Sequence, residues 1–275
     1  MIKITTSECN LTQIYDSGQC FRMKPAGEDW YEIIARDRYL RIRQDNELLI
    51  FDCSEEAYTF WYDYFDLGTD YGSFLARINP NDKYLNRAAE AGRGVRLLRQ
   101  DLWETIVSFL ISQQNNIKRI RYCIDNICRE YGRQCLSSDG RPYYAFPEPE
   151  ALALSDPDAL KACNLGYRSK YVVKTAQSIA EGRIDLDRIR NMPYHRAKKE
   201  LLSCYGIGEK VAECICLFSL HHFQAFPVDT HIRQALETHY KRGFPHRRYK
   251  DCQGVIQQYI FYYELNKPSD RTGQT

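Results

Sequence analysis

Lys210 lies two residues past a Gly-x-Gly turn, in the run Leu201-Leu202-Ser203-Cys204-Tyr205-Gly206-Ile207-Gly208-Glu209-Lys210-Val211-Ala212-Glu213-Cys214-Ile215-Cys216. A cation in the first turn of a helix faces the positive end of the backbone dipole, which disfavours the ammonium and favours a neutral, nucleophilic amine. On residue type alone a solvated lysine that tolerates a weak dipole is the commoner case. The context argues for reaction. Residues 196–204 read as a short helix with Pro193 near its start, Gly206 and Gly208 permit a tight reversal, and Val211, Ile215 and Phe218 fall on one face of a second helix from Glu209. The N–H groups at the start of that second helix, unhindered at the glycines, can approach a phosphate, although plain chain reversal is the commoner use of such a turn. Downstream stands Phe226-Pro227-Val228-Asp229-Thr230-His231-Ile232-Arg233. Asp229 precedes a helical pattern and is expected to cap it. A return from the apolar helix 211–220 would bring the two helix starts together and set the carboxylate beside the amine, where it can orient the lysine, accept a proton, or stabilise positive charge developing on a substrate.

The elements that must position these groups fall into two regions. Residues 30–35 read as a strand, Arg36-Asp37 as a break, Leu40 and Ile42 alternate with Arg41 and Arg43, Asp45-Asn46 turn, and residues 48–51 form a further strand. This is an antiparallel meander with one wet face. After Ser54-Glu55 the pattern turns helical and aromatic through Phe60, Trp61, Tyr64 and Phe65. From Asp101 onward everything reads as helices: Asp101 caps with Glu104 behind it, Leu102, Ile106, Phe109 and Leu110 form an apolar face, and Gly132, Gly166, Gly182 and Gly206 punctuate. The expected fold is α+β, an N-terminal antiparallel β-sheet domain over residues 1–95 followed by a helical domain over residues 96–275. There is no internal repeat, and the polar tail 266–275 is expected to fray.

Composition narrows the class. The 275 residues are 44% hydrophobic and 27% charged, ordinary for a water-soluble globular chain. No apolar stretch is long enough to span a bilayer, and residues 1–8 lack the apolar core of a signal peptide, so an intracellular location is expected. The 11 cysteines are scattered and odd in number, and read as reduced thiols buried as small apolar groups. Cys214-Ile215-Cys216 and the pair Cys123 and Cys128 make no zinc pattern. Net charge is only +2, which argues against indiscriminate electrostatic binding, yet cations cluster at Lys118, Arg119 and Arg121 and at Lys241, Arg242, His246, Arg247, Arg248 and Lys250. Such runs are commonly solvated loops; their place on either side of the proposed site favours phosphate contacts. The polar insert Ser112-Gln113-Gln114-Asn115-Asn116 interrupts two apolar runs and reads either as a capped corner or as a set of hydrogen-bonding groups with an outside partner. Lys210 and Cys214 are four apart on one helix face, as are Gln257 and Phe261 on a helix over 254–265. Core packing is the commoner fate of a cysteine and a phenylalanine, but an aromatic face, a thiol and an amide can also hold a flat base.

The hairpin to Lys210 and the Pro227 to Asp229 turn resemble the helix-hairpin-helix DNA glycosylase superfamily. Within it the chain is similar to the 8-oxoguanine DNA glycosylase family. The matching stretches are Ser17-Gly18-Gln19-Cys20-Phe21-Arg22, Gly94-Val95-Arg96-Leu97-Leu98-Arg99-Gln100-Asp101, Asn115-Asn116-Ile117-Lys118-Arg119-Ile120, Leu165-Gly166-Tyr167-Arg168, residues 210–217 and residues 227–231. They span nearly the whole chain in the family's order. The resemblance implies that Lys210 and Asp229 are catalytic, and that Gly18, Cys214, Gln257 and Phe261 form the lesion-base pocket, with the Gly18 carbonyl accepting the N7 hydrogen of the oxidised base. It implies that Gln114, Arg119 and Arg168 read the opposite cytosine, that Tyr167 wedges into the duplex, and that Gly206, Gly208 and His231 bind DNA phosphate. The implied partner is double-stranded DNA containing oxidised guanine, bound by a monomer without metal or organic cofactor, in the cytoplasm or nucleoid, or in the nucleus of a eukaryote. Related enzymes with an iron–sulfur cluster place four cysteines after the catalytic aspartate; here only Cys252 follows Asp229, and no cluster is expected. The family usually has Asn where this chain has Gln114, which puts the strictness of the cytosine requirement in question. A glycosylase for another damaged purine and a non-catalytic damage-binding module remain as alternatives.

Overall fold

In the computed structural model, which describes residues 1–267, the alternating pattern of residues 30–52 becomes the middle of a five-stranded antiparallel sheet. Its strands are β1 (Ile2–Thr5), β2 (Met23–Pro25), β3 (Trp30–Ala35), β4 (Arg38–Asp45) and β5 (Leu48–Asp52), in the order β1-β5-β4-β3-β2. The register sets Ile33 opposite Leu40 and Ile42 opposite Phe51, so one face is apolar and buried. On the other face the Arg41 and Arg43 guanidiniums lie over the Trp30 ring, 4.8 and 5.3 Å from its centroid. The two edge strands were not expected from the sequence. Each is only three or four residues long with a single neighbour, and β2 ends in Pro25, which an edge tolerates because no ladder N–H is needed there.

The buried face of the sheet packs on Leu11, Ile14, Trp61, Tyr64, Phe65 and Leu98. A second, larger core fills the helical region. It is built around the almost wholly buried Leu102–Ser112 helix and the Glu209–Phe218 helix, and it takes in Tyr84, Leu85 and Ala88 of the Lys83–Ala91 helix, which packs on Gln253–Asn266. Adjacent residues of the connecting chain serve the two cores, Leu97 one and Leu98 the other. Between them and the first strands, Arg96 is 2% exposed; its guanidinium donates to the carbonyls of Phe65, Asp66, Thr69 and Glu8 and lies 4.1 Å from the centroid of Tyr71. A buried guanidinium so fully paired fixes the junction rather than weakening it.

The expectation that all of the chain after Asp101 is helical fails at one place. β6 (Gln134–Leu136) and β7 (Pro142–Tyr144) form a small hairpin around Ser138-Asp139-Gly140, with Gly140 at φ +79°. The run is too short for periodicity to register, and its turn chemistry carries the signal. The pocket helix runs Gln253–Asn266, and the rest of the polar tail, 268–275, lies outside the described residues. Among the described residues no helix is long and apolar enough to cross a membrane.

Candidate active site

The hairpin consists of the helices Tyr194–Leu202 and Glu209–Phe218. Gly206 sits at φ +85°, and a Cβ there would lie 2.6 Å from the Tyr171 ring, so glycine is required both for the backbone angle and for the space. Its carbonyl accepts from Gln113 Nε2 at 3.1 Å, which ties the turn to the corner at residues 112–116. Gly208 is the N-cap of the second helix; no side chain caps it, and nothing lies within 4 Å of where its Cβ would be. The N–H groups of that first turn are thus left without a side-chain cap, as an anion site requires.

Lys210, Asp229, Gly18, Cys214, Gln257 and Phe261 all line one narrow cleft, together with Ser17, Phe109, Phe218, Pro227 and Gln258. The Lys210 Nζ lies 5.2 Å from the Phe109 ring centroid, with the Cys214 thiol one helical turn on. Burial pushes the Cys214 thiol above its ordinary range, only partly opposed by the Lys210 charge, so at neutral pH it is a small apolar wall and not a thiolate. Asp229 is the N-cap of the Thr230–His239 helix, and its Oδ1 accepts from Ile232 N at 2.9 Å. Among the described residues the lysine and this carboxylate make no ion pair within 4.0 Å. The two stand on the walls of one cleft, the lysine against Phe109 and Cys214, the aspartate held by its cap.

The floor of the cleft is equally constrained. Gly18, at φ +69°, has the Phe261 ring 3.2 Å from where a Cβ would be. Its neighbour Gln19 is fully buried, donating to Ser17 Oγ and to the carbonyl of Arg96 and accepting from Leu98 N at 2.8 Å, so the loop is stitched to the junction between the two cores. Gln257, 2% exposed, donates to the carbonyl of Pro227 at 3.0 Å, which joins the pocket helix to the segment that carries Asp229.

The residues expected to face a duplex gather at the corner between Leu102–Ser112 and Ile117–Tyr131, where Asn116 caps the second helix through Arg119 N at 3.0 Å. Gln114 is exposed with a left-handed φ of +48°, and Tyr167, exposed, places its hydroxyl 3.5 Å from the Gln114 Oε1. Arg119 is exposed and donates to the carbonyl of Asn164 at 3.4 Å. Arg168 is different. It is buried, donates to the carbonyls of Gln113, Gln114 and Leu165, and lies 4.6 Å from the Tyr167 ring centroid. In this conformation its guanidinium holds the corner from beneath and does not project from it. His231 is exposed in the first turn of the Thr230–His239 helix, beside the ring of Phe261. The second basic run, 241–250, contributes no residue to the lining of the cleft; it turns back so that His246 packs on the ring of Phe226, 4.9 Å between centroids. Arg121 is likewise structural, stacked 3.8 Å from the Tyr15 ring centroid and donating to the carbonyl of Tyr15.

The 8-oxoguanine DNA glycosylase N-terminal domain family matches residues 1–106, and the HhH-GPD superfamily of base excision DNA repair proteins matches residues 107–249. The chain is 30% identical to the N-glycosylase/DNA lyase of Saccharomyces cerevisiae over 87% of its own length and 70% of the yeast protein. The chain belongs to the 8-oxoguanine DNA glycosylase family of the helix-hairpin-helix superfamily. It is also 31% identical to a probable N-glycosylase/DNA lyase of Methanothermobacter thermautotrophicus, over 72% of this chain and 71% of that one. Its fold superposes with a TM-score of 0.86 on Clostridium acetobutylicum 8-oxoguanine glycosylase/lyase solved with double-stranded DNA containing cytosine opposite 8-oxoguanine; identity is 31%, covering 96% of this chain and 97% of that one.

In this glycosylase the sequence reading passed over one residue that organises the site. Glu213, 8% exposed, accepts from Tyr194 Oη at 2.5 Å and from Phe226 N at 2.6 Å, and pairs with Lys198 Nζ at 2.7 Å. One carboxylate thus joins the first hairpin helix, the second, and the segment leading to Asp229. The same contact pushes the Tyr194 hydroxyl well above its usual range, through burial and the adjoining carboxylate. A signal was present: an acid within the otherwise apolar run 211–218 must find partners or destabilise the helix packing.

Proposed function

We propose that this protein is a bifunctional DNA glycosylase/AP lyase that excises 8-oxoguanine, preferably opposite cytosine, from duplex DNA in base excision repair. The observation that carries the reading is the cleft in which Lys210 and Asp229 face Gly18, Cys214, Gln257 and Phe261. A base inside a duplex is out of reach of that cleft, so the target nucleotide has to leave the stack. Gly206, Gly208 and His231 then hold its phosphates, and Tyr167 and Gln114 enter the duplex above the Arg168 clamp, with Arg119 at the same corner.

In the cleft the base lies between the Phe261 ring and the Cys214 thiol. Oxidised guanine carries a hydrogen on N7, which the Gly18 carbonyl accepts; unmodified guanine presents a lone pair to the same oxygen, a mismatch worth about 1 to 3 kcal/mol in a dry site. Attack requires the free amine of Lys210. Its nitrogen lone pair bonds to the sugar C1′ as the C1′–N9 bond breaks and its electrons leave with the base, which takes up a proton. The Asp229 carboxylate faces the positive charge that develops on the sugar. The aminal opens to a Schiff base, and loss of a C2′ proton then expels the 3′ phosphate by β-elimination.

Sodium borohydride reduces the Schiff base to a stable amine. Incubation with an 8-oxoguanine duplex and borohydride is expected to yield a covalent protein–DNA adduct with the native enzyme and none with Lys210→Gln. An adduct with the variant, or none with the native enzyme, overturns the assignment. We further propose that it acts as a monomer in the compartment that holds the DNA; sedimentation of the enzyme bound to one duplex tests the stoichiometry.

A further inference from the structure

Gln258 is 2% exposed, lines the same cleft, and was not among the residues expected there. Its Nε2 donates to the Gln257 Oε1 at 3.0 Å, and Gln257 in turn donates to the Pro227 carbonyl at 3.0 Å. The two amides therefore form a directed relay from Gln258 through Gln257 to Pro227. Reversing the Gln257 amide would set its NH2 against the Gln258 NH2 and its oxygen against the Pro227 carbonyl, so the relay determines which of its ends is donor and which is acceptor. After those two bonds Gln257 retains one N–H and one lone pair. The Gln258 Oε1, by contrast, is buried with no hydrogen-bond partner among the described residues. A buried acceptor without a donor is costly unless a ligand supplies one.

We propose that Gln258 is a specificity-determining residue of the pocket, whose unpaired carbonyl oxygen accepts a hydrogen from the exocyclic 2-amino group of the lesion base. The assignment rests on the glycosylase reading of the cleft and deepens it. An oxidised guanine presents O6, N1–H and a 2-amino group along one edge. The remaining donor and acceptor of Gln257 match O6 and N1–H, and the acceptor of Gln258 takes the amine beside them. Oxidised hypoxanthine keeps O6 and N1–H and lacks only the amine. Oxidised adenine lacks the amine and also reverses the other two groups. The pocket is thus built to read three positions of the base edge in addition to the N7 hydrogen.

The test is a cycle of two lesions and two enzymes. Single-turnover excision of 8-oxoguanine and of 8-oxohypoxanthine, each opposite cytosine, is measured with the native enzyme and with Gln258→Met, which keeps the length of the side chain and removes its carbonyl. The native enzyme is expected to favour the amine-bearing lesion about tenfold, and the variant by no more than about twofold. The weaker pairing of hypoxanthine with cytosine eases extrusion equally for both enzymes and cancels in the ratio of ratios. A ratio of ratios near one, with both lesions slowed alike, makes Gln258 a packing residue and overturns the proposal. Should Gln258→Met not fold, equal native rates on the two lesions placed opposite an abasic site, where neither is paired, overturn it. Absence of a borohydride adduct with either lesion removes the glycosylase reading itself and this proposal with it; an adduct with both lesions and no preference removes this proposal alone.

Discussion

The cleft around Lys210 and the corner at residues 112–116 are built on opposite plans. The cleft draws its walls from segments far apart in the chain, at residues 17–18, 109, 210–218, 227–229 and 257–261, and locks them with buried bonds: Gln19 to the junction, Gln257 to Pro227, Glu213 to Phe226, Asp229 to its own helix. The corner joins residues 112–119 to the turn at 166–168, and its proposed reading groups, Gln114, Arg119 and Tyr167, are exposed, with one buried guanidinium beneath them. A site that stabilises developing charge gains from groups that do not reorganise, whereas groups that must slide into a stacked duplex gain from being free to adapt. The two regions should therefore fail differently: a defect in the cleft slows excision whatever base stands opposite, and a defect at the corner alters the ranking of opposite bases.

The largest effect after loss of Lys210 is expected at Asp229. Asn caps a helix as well as Asp, so Asp229→Asn should leave thermal stability and duplex affinity nearly unchanged while slowing single-turnover excision by about 100-fold or more, equally opposite all four bases. Unchanged turnover would reject its catalytic role. Glu213→Gln should lower stability by about 2 to 3 kcal/mol in denaturant titration, because Lys198 then loses its buried partner and one of Tyr194 and Phe226 its acceptor. Excision should slow as well, with kcat falling more than KM rises, since the Asp229 segment loses its brace; a variant that melts early yet turns over normally would separate Glu213 from the site. At the corner, Arg168→Met should release the Gln113 and Gln114 carbonyls, weaken duplex binding by about tenfold and flatten the ranking of opposite bases. If opposite-base ranking survived while excision collapsed, the division between cleft and corner would be wrong. The smallest change is expected for Gln114→Asn, which should sharpen the preference for cytosine over the other three bases by a few-fold, about one hydrogen bond's worth, read from excision rates on four duplexes.

How much of this was legible in the chain depended on distance along it. The hairpin, the cap at Asp229, the i,i+4 pairs Lys210 with Cys214 and Gln257 with Phe261, and the meander of β3 to β5 are all local patterns, and each was readable because helix and strand periodicity and cap chemistry act over a few residues. The edge strands β1 and β2 and the β6–β7 hairpin were not readable: a strand of three or four residues has too few alternations to stand out, and β1 is a strand because β5 offers it a free edge. The polar insert at residues 112–116 was open between a corner and a set of reading groups. It proves to be a capped corner, and it exposes Gln114 and Arg119 as well.

By itself the sequence determined the residue types of the chemistry, an amine at a helix start and a carboxylate at the next, together with the local elements that carry them. Only the tertiary structure decided that these two would face each other across a cleft without pairing, that Arg168 would turn inward to backbone carbonyls, and that Glu213 and Gln258 would matter at all. The reason is physical: a helix start or a cap is settled by neighbours a few positions away, whereas the partner of a buried polar group is whatever packing brings within hydrogen-bond reach, here Phe226, 13 residues from Glu213, and Gln113, 55 residues from Arg168.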